Sequence, residues 1–323
     1  MNKWLKRSIW TFGIFVAALA IAFIAFRTPD TDRAAMIAKY GGPQSRFVTL
    51  ADGARVHVRD SGGDGVPMIL LHGSNSSLHT WEPLKTALGS GYRIVTLDLP
   101  GHGLTGATPT HRYDTAEMVS AVDGVATALG LERFILGGNS MGGGVSWNYA
   151  LAHPDKARAL LLLDAGGMPP RAGDQPAASN IGFRIMRTSF GRWLGGQVTP
   201  RFMIERSLEQ SVADPARIDD ATVDRYWELL RFPGNREATG IRFARRFVDE
   251  AAAERARTIA APTLIIFGKQ DQLINPSAAA SFNERIAGSE VMLMDGVGHL
   301  PMEEAPEATA AAISEFLGRR LEE

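Results

Sequence analysis

The sequence predicts an α/β fold built on a mostly parallel β-sheet with an antiparallel start. Three observations favour it. From Phe47 onward, short apolar or β-branched runs alternate with stretches of helical spacing, as in strand–helix–strand units. Several of these runs are almost wholly apolar, which is typical of parallel strands buried on both faces. Between Gly166 and Pro262 no strand pattern occurs, which predicts an inserted helical cap over the sheet edge where ligands bind.

The predicted elements follow in order along the chain. An Asp-Gly turn at residues 52–53 joins the first two strands into a hairpin. The predicted strands are 47–50, 55–60, 67–71, 93–98, 134–137, 158–163, 263–267 and 290–294. Helices are expected over 115–129, from Ser140 to about Ala152, and from about Pro306 to Leu321. The predicted domains are an anchor at 1–27, a linker at 28–46, a core at 47–166 and 261–323, and a helical cap at 167–260.

An uncharged apolar run of 19 residues covers positions 8–26. As a helix it would span roughly 28 Å, close to the hydrocarbon thickness of a bilayer. Three basic residues precede the run, whereas the charges that follow it cancel. We therefore expect a single-pass membrane anchor with a cytoplasmic N-terminus and the catalytic domain on the outer, periplasmic or extracytoplasmic, side. A cleaved signal peptide and a buried soluble helix stay open as alternatives.

Composition excludes several kinds of site. The formal net charge is −1, so no nucleic-acid partner is expected. The chain has no cysteine, which rules out a thiol nucleophile, disulfides and thiolate metal sites. No metal-ligand spacing occurs, and the glycine-rich segment 62–65 has the pattern of a loop rather than a phosphate cradle. The sequence therefore implies no cofactor and no metal.

The segment Gly138-Asn139-Ser140-Met141-Gly142 follows a predicted strand and opens a predicted helix, which is the context that gives the G-x-S-x-G pattern its meaning. Glycines on either side permit a tight, strained turn. Such a turn would project the Ser140 hydroxyl into the cleft and place the N–H of Met141 at a helix N-terminus, where it can stabilise an oxyanion. Ser140 is therefore the candidate nucleophile. The alternative is a glycine-rich turn with a solvent-facing serine.

A serine hydroxyl needs a base to take its proton, and in this context the chain order is serine, acid, histidine. Only His153 and His299 follow Ser140. His153 would lie roughly 20 Å away, at the far end of the helix that Ser140 opens. His299 lies on a glycine-rich loop after the last strand, where it can reach over the sheet edge. His299 is therefore the candidate base, with a helix-capping loop histidine as the alternative.

The orienting acid should lie just past a strand between these two residues. Asp271 has that position and would fix the imidazole tautomer of His299, with Asp164 as the reserve candidate. A second oxyanion donor is expected from the loop after the strand at 67–71. The backbone N–H of Ser74 is the first choice, and Asn75 is the next.

Three other polar residues near these loops are expected to shape the backbone rather than to catalyse: His72, Asp98 and His102. In the cap, the stretch 181–194 interleaves aromatic and aliphatic residues with arginines. Its apolar face is expected to pack on the core. The alternative is an amphipathic lid that rests on an anionic bilayer and admits lipophilic esters.

Several segments together resemble the α/β-hydrolase superfamily over roughly residues 47–321. They are LLHGSNSSLHTW, LDLPGHGLTG, GGNSMGG, LAHPDKARALLLLDAGG, IIFGKQDQLIN and GVGHLPMEEAPE. The resemblance implies the α/β-hydrolase fold, a catalytic triad of Ser140, Asp271 and His299, and no cofactor. It is much less specific for a substrate.

Within the superfamily, haloalkane dehalogenases and epoxide hydrolases carry aspartate where this chain has Ser140, which disfavours those reactions. GGNSMGG resembles carbon–carbon hydrolases of aromatic ring-cleavage products, but those usually carry tryptophan after the catalytic histidine, and here Leu300 follows. The departure favours an ester hydrolase similar to esterases and monoacylglycerol lipases, acting on a small, lipophilic carboxylic ester. A carbon–carbon hydrolase, a cofactor-free perhydrolase and a non-catalytic binding homologue stay open as alternatives.

Overall fold

The computed structural model describes residues 3–169, 188–244 and 249–321, and one eight-stranded sheet runs through them. The strands are β1 (Ser45–Thr49), β2 (Arg55–Asp60), β3 (Val66–Leu71), β4 (Tyr92–Leu97), β5 (Phe134–Asn139), β6 (Ala157–Leu163), β7 (Thr263–Gly268) and β8 (Glu290–Met294). Their order is β1-β2-β4-β3-β5-β6-β7-β8. The pairs β1–β2 and β2–β4 are antiparallel, and the remaining pairs are parallel. This confirms the predicted fold class.

Helices cover both faces of the sheet and the region above its carboxyl edge. They are α1 (Lys3–Phe26), α2 (Arg33–Tyr40), α3 (Glu82–Leu88), α4 (Thr115–Ala128), α5 (Met141–Ala152), α6 (Ser189–Gln197), α7 (Arg201–Glu209), α8 (Asp220–Leu230), α9 (Asn235–Phe243), α10 (Glu250–Arg255), α11 (Ala278–Arg285), α12 (Pro301–Glu304) and α13 (Pro306–Leu321). Short 3₁₀ turns occur at Leu78–Trp81, Pro215–Arg217 and Ala256–Thr258.

The hydrophobic core lies in two layers, one on each face of the sheet. Successive residues of a strand point to opposite faces, so Ile69 and Leu71 of β3 join one layer while Met68 and Leu70 join the other. All four side chains are 0% exposed. The first layer includes apolar residues of α4, α5 and α11, and the second those of α3 and α13. The two layers hold the strand ends rigidly, which fixes the loops at the carboxyl edge.

Helix α1 is long and apolar enough to cross a membrane, with a mean hydropathy of 2.5 over its most apolar window. None of that window is buried against the rest of the chain. Near its C-terminal end, the Phe23 ring stacks on the Trp193 ring of α6, with 5.6 Å between their centroids. The end of α1 therefore lies beside the cap.

The segment expected to be a linker is instead folded. Residues 28–41, which we name the N-terminal strap, contain helix α2 and contact both the cap and the core. The N–H of Thr28 donates to the Gln197 carbonyl at 2.9 Å, and the Tyr40 hydroxyl donates to Glu228 at 2.7 Å. On the core side, Arg59 of β2 donates to the Tyr40 carbonyl at 2.7 Å. These bonds order the segment. Their partners are distant along the chain, so the local sequence pattern does not reveal them.

The region between β6 and β7 contains α6 to α10 and no strand among its described residues. Within it, α6 packs on α9 and α7 packs on α8. The stretch 181–194 is predicted to be a lid that packs on the core or faces a membrane. Its first part, residues 181–187, lies outside the described residues. Its described part begins α6 at Ser189, where Phe190 and Trp193 are 68% and 55% exposed.

Candidate active site at the carboxyl edge of the sheet

Ser140 occupies the turn between β5 and α5 with φ 54° and ψ −117°, a conformation that a residue with a side chain rarely adopts. Close packing holds the turn in this shape. A Cβ added to Gly142 would lie 2.1 Å from the Leu71 carbonyl oxygen, so only glycine fits there. The N–H of Ser140 donates to the Leu163 carbonyl at 3.0 Å, and its own carbonyl accepts the N–H of Gly166 at 2.8 Å. The strained backbone required of a nucleophile at this turn is therefore present.

His299 and Asp271 lie in direct contact, on the loops that follow β8 and β7. The imidazole Nδ1 is 2.7 Å from Asp271 Oδ2, and both residues are buried. The second carboxylate oxygen of Asp271 accepts the N–H groups of Leu273 at 2.7 Å and Ile274 at 3.1 Å. With Nδ1 bound to the carboxylate, Nε2 is the ring nitrogen that can exchange a proton with a nucleophile.

Asn139 ties the histidine loop to the serine turn, and the sequence reasoning missed it. Its Nδ2 donates to the His299 carbonyl at 2.9 Å and to the Leu163 carbonyl at 3.2 Å. Asn139 directly precedes Ser140, so these bonds join the backbone of His299 to that of Ser140. The signal available in the sequence was a polar residue at the end of an otherwise buried strand.

Glu304 is a second positioning residue that the sequence reasoning missed. This buried carboxylate accepts the N–H groups of Gly298 at 2.9 Å, Leu300 at 3.2 Å and Ala213 at 2.7 Å. The N–H of His299 itself donates to the Ser211 carbonyl at 2.8 Å. The loop that carries the base is thus fixed on both sides, from α12 and from the end of α7.

The loop predicted to supply an oxyanion donor lies against Ser140. A Cβ built on Gly73 would lie 3.2 Å from the Ser140 Cβ, so the backbone leading into Ser74 passes beside the serine. Asn75 follows with a positive φ of 59°. Its Oδ1 accepts hydrogen bonds from Thr239 at 2.9 Å and Arg242 at 3.2 Å, both on α9. The cap therefore holds this loop in place.

His72, Asp98 and His102 shape neighbouring loops, as expected. The His72 Nδ1–H donates to the Gly73 carbonyl at 2.7 Å, and its Nε2 accepts the N–H of Leu99 at 3.0 Å. Asp98 is fully buried and accepts from His57 and from two backbone N–H groups. Burial opposes its ionisation, but the charge and hydrogen bond of His57 outweigh this and lower the pKa of Asp98.

Arg242 is a buried cation beside Asn75, in the loop predicted to supply an oxyanion donor, and it too was missed. Its side chain is 3% exposed, and its Nε and Nη1 have no acceptor among the described residues. Burial lowers its pKa to about 9. Buried donors of this kind can receive an anionic group of a ligand.

Among the described residues, Asp164, Asp271 and His299 are three acidic or histidine side chains whose ligand atoms lie within 4.8 Å of one another. The 2.7 Å separation of His299 Nδ1 and Asp271 Oδ2 is that of a charge-assisted hydrogen bond. We therefore interpret the contact between His299 and Asp271 as a hydrogen bond rather than as part of a metal site.

The model of the alpha/beta hydrolase fold family matches residues 66–306. The chain belongs to this family. A 2-hydroxymuconate semialdehyde hydrolase from Pseudomonas sp. (strain CF600) is 28% identical to it over 87% of this chain and 97% of that protein. Lipase 3 from Moraxella sp. (strain TA144) is also 28% identical, over 82% of each chain. Relatives of this family thus include both a lipase and hydrolases of ring-cleavage products, and they support a hydrolase.

Among solved structures, a membrane phospholipase A superposes with a TM-score of 0.66 at 22% identity. The superposition covers 99% of this chain and 99% of that one, so it takes in the N-terminal helix of this α/β-hydrolase. A meta-cleavage product hydrolase superposes with a TM-score of 0.71 at 23% identity, over 85% of this chain and 98% of that one. Both likenesses concern the fold.

Proposed function

We propose that this α/β-hydrolase is a membrane-anchored enzyme that cleaves lipophilic carboxylic esters through an acyl-enzyme on Ser140. The observation that carries the proposal is the buried His299–Asp271 pair, bonded at 2.7 Å and tied through Asn139 to the strained Ser140 turn. A nucleophile, a base and an orienting acid on three neighbouring loops form the constellation that acyl transfer needs.

In the proposed cycle, Ser140 Oγ attacks the ester carbonyl carbon while His299 Nε2 takes the hydroxyl proton. The backbone N–H groups of Met141 and Ser74 stabilise the negative charge on the tetrahedral oxygen, and each such donor typically lowers the barrier by about 3 kcal/mol. His299 then gives the proton to the departing alcohol. Water attacks the acyl-enzyme by the same route, which regenerates Ser140 and releases the carboxylic acid.

Lipophilic substrates are supported by an apolar surface on the cap, next to the end of α1. It consists of four side chains that are each more than half exposed: Phe190, Trp193, Phe202 and Met203. Trp193 stacks on Phe23 of α1, so the surface continues the apolar helix. With α1 across a bilayer and its basic flank in the cytoplasm, the cap would face the outer leaflet, from which apolar esters could enter. The relationship to Lipase 3 agrees with this substrate class.

A second candidate function is hydrolysis of a carbon–carbon bond in a vinylogous 1,5-diketone that carries a carboxylate. The specific observation is Arg242, whose Nε and Nη1 have no acceptor among the described residues and could bind such a carboxylate next to the loop predicted to supply an oxyanion donor. One relative, from Cupriavidus pinatubonensis, is named as a hydrolase of dioate compounds and is 27% identical over 85% of this chain. Leu300, which directly follows His299, still distinguishes this chain from the usual pattern of those enzymes.

A substrate panel separates the two candidates. The full chain in detergent is assayed with p-nitrophenyl esters of graded acyl length and with a vinylogous 1,5-diketone bearing a carboxylate. Ser140→Ala serves as the inactive control and Arg242→Gln as the probe of carboxylate binding. We expect ester turnover that Ser140→Ala abolishes and Arg242→Gln changes little. Faster turnover of the diketone, with a KM that rises in Arg242→Gln, would establish the second function instead.

Two further measurements test catalysis and membrane contact. A fluorophosphonate should label the chain at Ser140, whereas a non-catalytic binding homologue would not react. Turnover of a long-chain ester by protein lacking residues 1–27 should rise when anionic vesicles are added, because the apolar cap surface would bind them. An unchanged rate with vesicles would argue against contact between the cap and the membrane.

A further inference from the structure

Asp164 is a buried carboxyl group that the proposed reaction does not use. It follows β6 with a φ of 42° and is 0% exposed. Its Oδ1 accepts the N–H of Gly268 at 3.0 Å, whereas its Oδ2 has no hydrogen-bond partner among the described residues. A buried carboxylate oxygen without a donor is costly. The Oδ2 atom is therefore stable in this position only if it carries a proton or lies beside a cation.

The groups around Asp164 add negative charge rather than a compensating cation. The titratable groups around it are Asp271 on the loop after β7, His299 on the loop after β8, and Glu304 on α12. Burial, and after it the Asp271 carboxyl, raise the pKa of Asp164 well above its usual range. Two adjacent buried carboxyl groups do not both ionise easily, and such a pair retains one proton.

We propose that Asp164 is a protonated carboxylic acid that donates a hydrogen bond to Asp271 and thereby positions the acid of the relay. The proton satisfies the Oδ2 atom of Asp164 and leaves the negative charge on Asp271, which faces His299. Asp271 would then receive donors from three sides: the amides of Leu273 and Ile274, and the Asp164 hydroxyl. Asp164 is a positioning residue, since it acts on the reaction only through Asp271.

The sign of a pH shift distinguishes this arrangement from an ionised Asp164. This test rests on the proposed ester hydrolysis, and it compares the pH profiles of kcat/KM for the full chain, Asp164→Asn and Asp164→Leu. An amide can replace the hydroxyl as donor, so Asp164→Asn should leave the midpoint of the acidic limb within about 0.3 pH units of the wild-type value. Asp164→Leu removes the donor, strengthens the attraction of Asp271 for the imidazolium, and should raise the midpoint by about half a unit. An ionised Asp164 predicts the opposite: removing its negative charge would lower the midpoint in both variants.

A stability measurement tests the same proton without any substrate, so its result is independent of the proposed reaction. A carboxyl group whose pKa is raised by folding stabilises the folded state fully below its unfolded pKa, near 4, and this contribution is lost as the pH rises through the folded pKa. Asn does not titrate. The folding equilibrium constant of Asp164→Asn relative to the full wild-type chain should therefore increase up to about tenfold per pH unit above pH 4. A ratio that stays constant with pH would overturn the proposal, even if the esterase activity is found.

Discussion

At the residue scale, the shape of the Ser140 turn depends on the absence of side chains around it. We expect Gly142→Ala to lose at least about 2 kcal/mol of unfolding free energy and most activity, because its Cβ would lie 2.1 Å from the Leu71 carbonyl oxygen. The matched control is Gly318→Ala on α13, where an added Cβ meets nothing within 4 Å. That variant should gain roughly 0.5–1 kcal/mol from helix propensity. Chemical denaturation measures the unfolding free energy of both variants, and equal values would contradict the prediction.

Single and double substitutions distinguish the roles of the Asp271 and Asp164 carboxyl groups. Replacing the acid of a triad by asparagine typically lowers kcat by about 10⁴-fold. We expect a smaller loss for Asp271→Asn, about 10²- to 10³-fold, because Asp164 can then ionise within 4.8 Å of the His299 ring. The double variant Asp164→Asn/Asp271→Asn should lose the remainder. If the single and double variants have the same kcat, Asp164 cannot substitute for the acid.

The sequence predicts candidate site residues where the chemistry has a local signature. Ser140 follows a recognisable strand and opens a helix, and His299 and Asp271 each follow a strand, so chain order alone selects them. Asn139, Glu304 and Arg242 have no such signature. Asn139 bonds His299 across 160 positions, Arg242 bonds Asn75 across 167, and Glu304 bonds Ala213 across 91 as well as its near neighbours Gly298 and Leu300. Only the folded structure brings those partners together.

At the element scale, strands with a strong apolar pattern were predicted well. β2 and β8 begin and end as the sequence predicted, because turn residues and short apolar or alternating runs define them locally. The N-terminal strap was predicted as a linker and is instead folded, since its order comes from contacts with Gln197, Glu228 and Arg59. Local propensity for a short helix is weak, and tertiary packing decides whether one forms.

Truncation tests the role of the strap. A chain that begins at Thr28 keeps every contact of the strap, whereas one that begins at Gly42 loses them, including the Arg236–Asp30 ion pair and the packing of buried Met36. We expect the shorter chain to melt at least about 5 °C lower, since each kcal/mol lost shifts Tm by about 2–4 °C in a domain of this size. Differential scanning calorimetry of both chains provides the measurement. Equal melting temperatures would show that the strap adds nothing to stability.

At the scale of the whole molecule, the apolar helix α1, the strap and the exposed cap surface lie next to one another in the structure. Only Arg27 separates the end of α1 at Phe26 from Thr28, whose N–H donates to the carbonyl of Gln197 at the end of α6. If α1 crosses a bilayer, α6 and α7 must therefore lie close to the membrane surface. Both helices are amphipathic, which suits the boundary between the lipid headgroups and the acyl chains.

Site-directed spin labelling tests this orientation directly, because the chain has no cysteine of its own. Single labels are placed at Phe202→Cys on the cap surface and at Leu293→Cys on the edge strand β8; these side chains are 60% and 45% exposed. In anionic nanodiscs, the label at position 202 should collide more with oxygen, which concentrates in lipid. The label at position 293 should collide more with a water-soluble nickel chelate. Equal nickel accessibility at both positions would mean that the cap stands clear of the bilayer, and the lipophilic substrate would then have to reach Ser140 through water.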